Sequence, residues 1–340
     1  MSNKAAWITA AKAHPFEVKE APMPKAGANE VVIKNHAVAI NPVDWKIQEW
    51  GIFLKEYPNI LGTDVAGEIH EVGEGVTQFK KGDRVIGHAL SLLTTAPKDS
   101  AFQLYTTCPP LAVSKIPSSL PYTHAAVLPL SISTAAACLF KKEALALPLP
   151  SQTTKPNSTG KSVLVWGGSS SVGCSAIQLA VGAGVKVVSV ASAHNLGKLK
   201  ELGADAVFDY NSSSVIEDIL KALEGTEFAG VCDCIGTPPA VTQWSQVYEK
   251  LGGRYGTVMP DPKGLPEGIE GTFVFAPQVV MGDRFIGEAV WAKYVPEGLE
   301  KGTFRAAPEP TVVEGGLGKV QGAVDELKKG VSYGKIVVAL

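Results

Sequence analysis

The chain has 340 residues, 45% hydrophobic and 19% charged, with a formal net charge of -2. That length allows two domains with ordinary cores, and the charge balance lacks the excess of Lys and Arg that nucleic-acid phosphates demand, so a small molecule is the expected partner. The opening MSNKAAWITAAKAHPF lacks the apolar core of a secretory leader, and no run of about 18 apolar residues stands out, so a soluble, cytoplasmic chain with no membrane span is expected.

Up to about residue 125, short β-like runs alternate with turn signals: EVVIKNHAVAI (30–40), VAGEIHEVG (65–73) and DRVIG (83–87). This predicts a mostly β domain. The tract 143–161, rich in Pro, Ser and Thr, reads as a surface loop. From Lys161 the pattern changes to strands alternating with helices. SVLVW leads into a helix through Ala176 to Ala183, then VKVVSV, a helix ending at LGAD, AVFDY, the amphipathic SSVIEDILKALEG, VCDCI, a helix near 240–251 and RYGTVM. Such alternation predicts a doubly wound parallel sheet. A helix near 318–329 and the closing strand KIVVAL suggest a tail that folds back on the first domain.

The five cysteines Cys108, Cys138, Cys174, Cys232 and Cys234 are odd in number and show no CxxC spacing, so reduced, mostly buried thiols are expected. His14, His36, His70, His88 and His124 have no carboxylate or cysteine at catalytic or metal spacing and read as structural or surface residues.

The stretch VLVWGGSSSVGCSAIQLA places glycines between a strand and a helix. Free backbone N–H groups and the positive end of the helix dipole then meet at one point, which suits a pyrophosphate. Gly168 and Gly173 take the outer positions of GxGxxG, Ser170 takes the middle one, and Ser169, Ser171 and Val172 complete the loop. An NAD-specific site would place an acid about 20 residues further on. Here VASAHNLGKLK has none. Ser192, His194, Asn195 and Lys198 instead offer hydrogen bonds and positive charge to a 2′-phosphate, which favours NADP(H); Ser192 and Asn195 also suit plain helix caps. Tyr210, ending DAVFDY, is either a stacking surface for adenosine or a core aromatic.

Together, NEVVIKNHAVAINPVDWK, ILGTDVAGEIHEVGEGV, KKGDRVIG, the glycine-serine loop, LKELGAD and GKIVVAL resemble the medium-chain dehydrogenase/reductase superfamily along nearly the whole chain. GGSSSVG, SAHN and VFDY are similar to fungal zinc-independent members, among them trans-acting enoyl reductases of polyketide assembly and quinone-oxidoreductase-like proteins. The resemblance implies an α/β fold: a GroES-like domain from 1–128 and 282–340, and a Rossmann NADP(H)-binding domain over 129–281.

It also assigns roles. Asn41, Val43, Asp44 and Lys46, in the NPxDxK-type segment, are expected beside the nicotinamide. Lys46 is the candidate for enolate stabilisation or proton delivery, or else a solvated lysine or ribose contact. Thr134 is expected at the nicotinamide, Ser131 and Ser133 toward substrate, Ile235 and Gly236 under the cofactor, and Val258 and Met259 at its border. Phe275 would line an apolar pocket wall, and Tyr333 and Gly334 would close over the cofactor. Where zinc members carry a catalytic Cys and a GHE motif, this chain has Asn41, Thr63 and Asp64, so no metal is expected.

Without a Lewis acid, conjugate reduction is the easier chemistry. The expected substrates are activated alkenes, enoyl thioesters or quinones, and the alternative is a non-catalytic NADPH-binding member. A polyketide synthase partner and a monomeric or homodimeric state stay open.

Overall fold

A computed structural model describes residues 2–151 and 156–340. Residues 152–155 of the predicted surface tract lie outside the described residues. The earlier part of that tract is not a free loop. Ala144, Leu145 and Leu147 are buried, and the N–H groups of Leu145 and Leu147 donate to Cys138 and Leu139.

The chain forms two compact units, Met1–Leu130 with Glu309–Leu340, and Ser131–Pro308. In the first, a sheet runs in the order Glu309–Val313, Gly334–Ala339, Val31–Ala39, Asp64–Val72, Arg84–His88, Val113–Lys115. Its pairs are antiparallel except for the first, and Val337 lies opposite Ala39, so the tail does return to this unit. The strand Val31–Ala39 is buried almost throughout, with Ile33, Val38, Val65, Phe102 and Val338 in one core. The helices Pro42–Trp50 and Val320–Lys328 add Ile47, Val320 and Val324 to it.

The second unit holds a six-stranded parallel sheet. In space it runs Ala206–Asp209, Lys186–Ala191, Lys161–Trp166, Glu227–Asp233, Arg254–Thr257, Glu270–Phe273. Numbered along this unit the order is 3-2-1-4-5-6, the Rossmann arrangement, with its switch point beside Lys161–Trp166. Val163, Leu164 and Val165 are apolar in succession because helices cover both faces. The helix Val215–Leu223 shows the opposite pattern: Val215, Ile219 and Leu223 share one buried stripe while Glu217 and Asp218 sit in its first turn.

Residues 282–308, expected with the first domain, belong instead to the second unit. Trp291 and Tyr294 anchor them there. Trp291 Nε1 donates to Ser133 Oγ at 3.0 Å and the Tyr294 hydroxyl to the Gln178 carbonyl at 3.3 Å. The stretch Tyr122–Phe140 also departs from expectation. Its 19 residues are long and apolar enough to cross a membrane by composition, but 83% of its most apolar window is buried inside the protein. All five cysteines are free and buried.

Candidate functional site

The glycine-serine loop joins the strand Lys161–Trp166 to the helix Ser171–Gly182 at the switch point. Its glycines are required by crowding. A Cβ on Gly168 would lie 2.1 Å from Ser189 Oγ, and one on Gly173 would lie 2.4 Å from the Gly167 carbonyl oxygen. Gly167, which motif spacing passes over, has φ +82, and a Cβ there would meet Ile235 at 2.4 Å. No side chain larger than hydrogen fits at these three positions of the loop.

Ser170, the apparent motif defect, is the helix N-cap: its Oγ accepts from Gly173 N at 3.0 Å and donates to the Gly167 carbonyl at 2.9 Å. Its hydroxyl thus closes the loop on itself. Ser171 and Val172 stand in the first helical turn, where N–H groups have no intrahelical acceptor. A pyrophosphate fits such a cradle.

Asp233, read in sequence only as part of an apolar run, organises the neighbouring strand end. Its Oδ1 accepts from Ile235 N at 3.0 Å and Gly236 N at 2.9 Å, and its Oδ2 from Trp244 Nε1 at 3.2 Å. Burial pushes this carboxyl above its ordinary value, and the hydrogen bonds oppose the rise. Gly236, at φ +69, leaves room for Met259, whose Cγ would lie 2.3 Å from a Cβ there. Val258 N donates to the Asp233 carbonyl, so Ile235, Gly236, Val258 and Met259 form one surface beside Gly167.

At the end of Lys186–Ala191, Ser192 Oγ lies 3.3 Å from the Tyr210 hydroxyl, and Tyr210 is exposed rather than in the core. His194 is exposed, Lys198 half-buried and Asn195 buried. The side chains of Ser192 and Asn195 make no cap hydrogen bond to the helices that follow them, so plain capping does not explain them.

On the helix Pro129–Phe140, Thr134 is buried. Ser131 and Ser133, expected toward substrate, lie inside the core, Ser131 Oγ 2.8 Å from Ser175 Oγ and Ser133 Oγ accepting from Trp291. Phe275 is half-buried just beyond the edge strand Glu270–Phe273.

In the first unit, Asn41 N-caps the helix Pro42–Trp50, and its N–H donates to Asp44 Oδ2 at 2.7 Å. The Asn41 side chain serves a different purpose. Its Nδ2 donates to Thr63 Oγ1 at 3.1 Å and Asp64 Oδ2 at 2.8 Å, and its Oδ1 accepts from Lys335 Nζ at 2.8 Å. Lys335 Nζ also pairs with Asp64 Oδ2 at 2.6 Å, and Leu130 N donates to Asp64 Oδ1 at 2.6 Å. Sequence reading missed Lys335, which follows the expected Tyr333 and Gly334 and is only 3% exposed.

Two further groups here are shifted. Burial, reinforced by the charge of Asp64 and opposed by hydrogen bonding to Asn41 N, raises Asp44 to about 7. Burial lowers His88, which lies across the sheet from Asp64, to about 4, so this histidine is a buried neutral imidazole. Lys46 points elsewhere: its ammonium sits 5.7 Å from the Trp45 ring centre and 5.9 Å from that of Trp50, and burial lowers its pKa. Val43 beside it is half-buried.

Among the described residues no three His, Cys, Asp or Glu side chains gather at metal-binding distance. The Asn41–Thr63–Asp64 set offers an amide, a hydroxyl and a carboxylate already engaged by an ammonium, which does not fit zinc.

Residues 27–118 match the alcohol dehydrogenase GroES-like domain, and residues 171–279 the zinc-binding dehydrogenase family. The chain is 46% identical over 339 residues to the trans-enoyl reductase himH of Aspergillus japonicus, covering 99% of this chain and 97% of that protein. It is 40% identical over 353 residues to the dehydrogenase orsE of Emericella nidulans, covering 100% and 99%. Among solved structures, an alcohol dehydrogenase superfamily protein from Novosphingobium aromaticivorans shares the fold at TM-score 0.78 and 21% identity, with 99% of each chain covered. The CurK enoyl reductase shares it at TM-score 0.73 and 21% identity, again over 99% of each.

Proposed function

The chain belongs to the medium-chain dehydrogenase/reductase superfamily, and from that membership we propose that it is a zinc-independent, NADPH-dependent reductase of activated, α,β-unsaturated double bonds. The observation that carries the cofactor reading is the self-capped glycine-serine loop at the switch point of a 3-2-1-4-5-6 sheet, followed by Ser192, His194 and Lys198 with no acid among them. The N–H groups of the loop hold the pyrophosphate, Ser192 and Lys198 hold the 2′-phosphate, and Tyr210 flanks the adenosine. Ile235, Gly236, Val258 and Met259 support the nicotinamide end.

When bound, the reduced nicotinamide supplies a hydride to the β-carbon of the acceptor. The protein then has to orient the acceptor and stabilise the enolate as charge develops on it. Lys46 is the group proposed for that task and for returning a proton, because it is the cation of the NPxDxK-type segment expected beside the nicotinamide. Thr134 orients the nicotinamide. The relatives named trans-enoyl reductases favour an enoyl thioester presented by a separate synthase.

The test is NADPH oxidation by the purified protein over enoyl thioesters, enones and quinones, run in parallel with NADH. Turnover is expected with NADPH and fastest on the thioesters. Quinone turnover alone would replace the substrate assignment. NADPH binding without turnover on any acceptor, or a preference for NADH, would overturn the reading.

A further inference from the structure

The buried cluster around Asp64 carries an inference that does not depend on the cofactor or the substrate. We propose that Lys335 is the resident cation of this site, holding by its ammonium the electrostatic place that the family's name assigns to zinc, so that Lys335 and a metal exclude one another there.

The hydrogen bonds fix which way the groups around Asp64 face. An ammonium only donates, so the atom that Asn41 turns to Lys335 must be its carbonyl oxygen, and both amide hydrogens then go to Thr63 and Asp64. Asp64 Oδ2 accepts from both Lys335 and Asn41, while Oδ1 accepts from Leu130 N. The Asp64 carboxylate is 0% exposed and has one full positive charge beside it, so its own charge is already answered before any divalent ion arrives. The sheet builds this arrangement. Asp64 lies opposite Ala39, and the Ile40 N–H donates to the Ile336 carbonyl, which brings Asn41 and Lys335 together from positions 294 residues apart. A metal could enter only by expelling the ammonium, and it would then find three oxygen donors rather than thiolate and imidazole.

Competition between the two cations tests the proposal. The unmodified protein, equilibrated with Co²⁺ and desalted, is expected to retain no more metal than an Asp64→Asn variant; stoichiometric Co²⁺ that Asp64→Asn removes would overturn the proposal. Thiolate and imidazole are then supplied by Asn41→Cys with Thr63→His, once with Lys335 retained and once with Lys335→Met. Co²⁺ should bind at least tenfold more tightly, with tetrahedral absorption bands, when residue 335 is Met. Equal affinity in the two backgrounds would overturn the proposal. Should these combinations fail to fold, a double-mutant cycle serves instead: Asp64→Asn should restore most of the thermal stability that Lys335→Met removes, and strictly additive losses would show that the ammonium does not answer that carboxylate.

Discussion

Asp44 and His88, both wholly buried in the first unit, titrate in opposite senses, and this yields a quantitative prediction. Between pH 3.8, the ordinary value of Asp44, and about 7, its folded value, the folded protein holds a proton that the unfolded chain has released. Stability therefore falls as pH rises through that window, by about 1.4 kcal/mol per pH unit. For His88 the ordinary value is 6.5 and the folded value about 4, so in that window the unfolded chain holds the extra proton. Stability there rises with pH, at the same rate of about 1.4 kcal/mol per unit. The two slopes oppose each other from about pH 4 to 6.5, and the parent protein should show almost no net dependence from this pair. Asp44→Asn leaves the histidine slope alone, a relative gain of about 3 kcal/mol from pH 4 to 6.5; His88→Asn leaves the aspartate slope, a relative loss of about 3 kcal/mol over the same range. Urea unfolding at half-unit steps of pH, read as each variant minus the parent, removes the titrations common to all three proteins. Difference curves that are flat, or that slope the same way, would refute the reasoning.

Three further outcomes are expected. Gly173→Ala places a Cβ 2.4 Å from the Gly167 carbonyl oxygen and 2.6 Å from the Gly168 Cα, so it should displace the loop; NADPH affinity, followed by fluorescence titration, should fall at least about tenfold, with about 1–3 kcal/mol of stability lost to overpacking. Ser170→Ala should cost about 1 kcal/mol through loss of the helix cap but Ser170→Gly only a few tenths, a ranking that chemical denaturation reads directly and that equal losses would contradict. Lys198→Ala should weaken NADPH binding by about tenfold and leave NADH binding unchanged, since only the former carries the 2′-phosphate; an equal loss for both would detach Lys198 from that phosphate.

Much of the architecture was legible in local pattern. The continuous apolar strands, the stripe of Val215, Ile219 and Leu223, and the glycines between strand and helix each state their environment within a dozen residues. What escaped reading depends on distant partners. Lys335 opens an apolar strand, where a lysine ordinarily marks a solvated end, and its burial is visible only once Asn41 and Asp64 are in place. Asp233 looks like an interruption of VCDCI until Trp244 and two turn N–H groups are seen donating to it. Residues 282–308 carry apolar helices whose composition cannot say which core receives Trp291. Ser131 and Ser133 resemble substrate-facing hydroxyls, and only Ser175 and Trp291 reveal that they point into the protein.

The lysine that balances Asp64 is also translated long after it. When Asn41, Thr63 and Asp64 leave the ribosome, the cation that neutralises them has yet to be made, and all of Ser131–Pro308 is synthesised first. The second unit can close as a finished body while the first still lacks both its ammonium and the strand Gly334–Ala339. A chain released before Gly334–Ala339 is made would therefore carry a complete second unit attached to a first unit with an uncompensated charge at its centre.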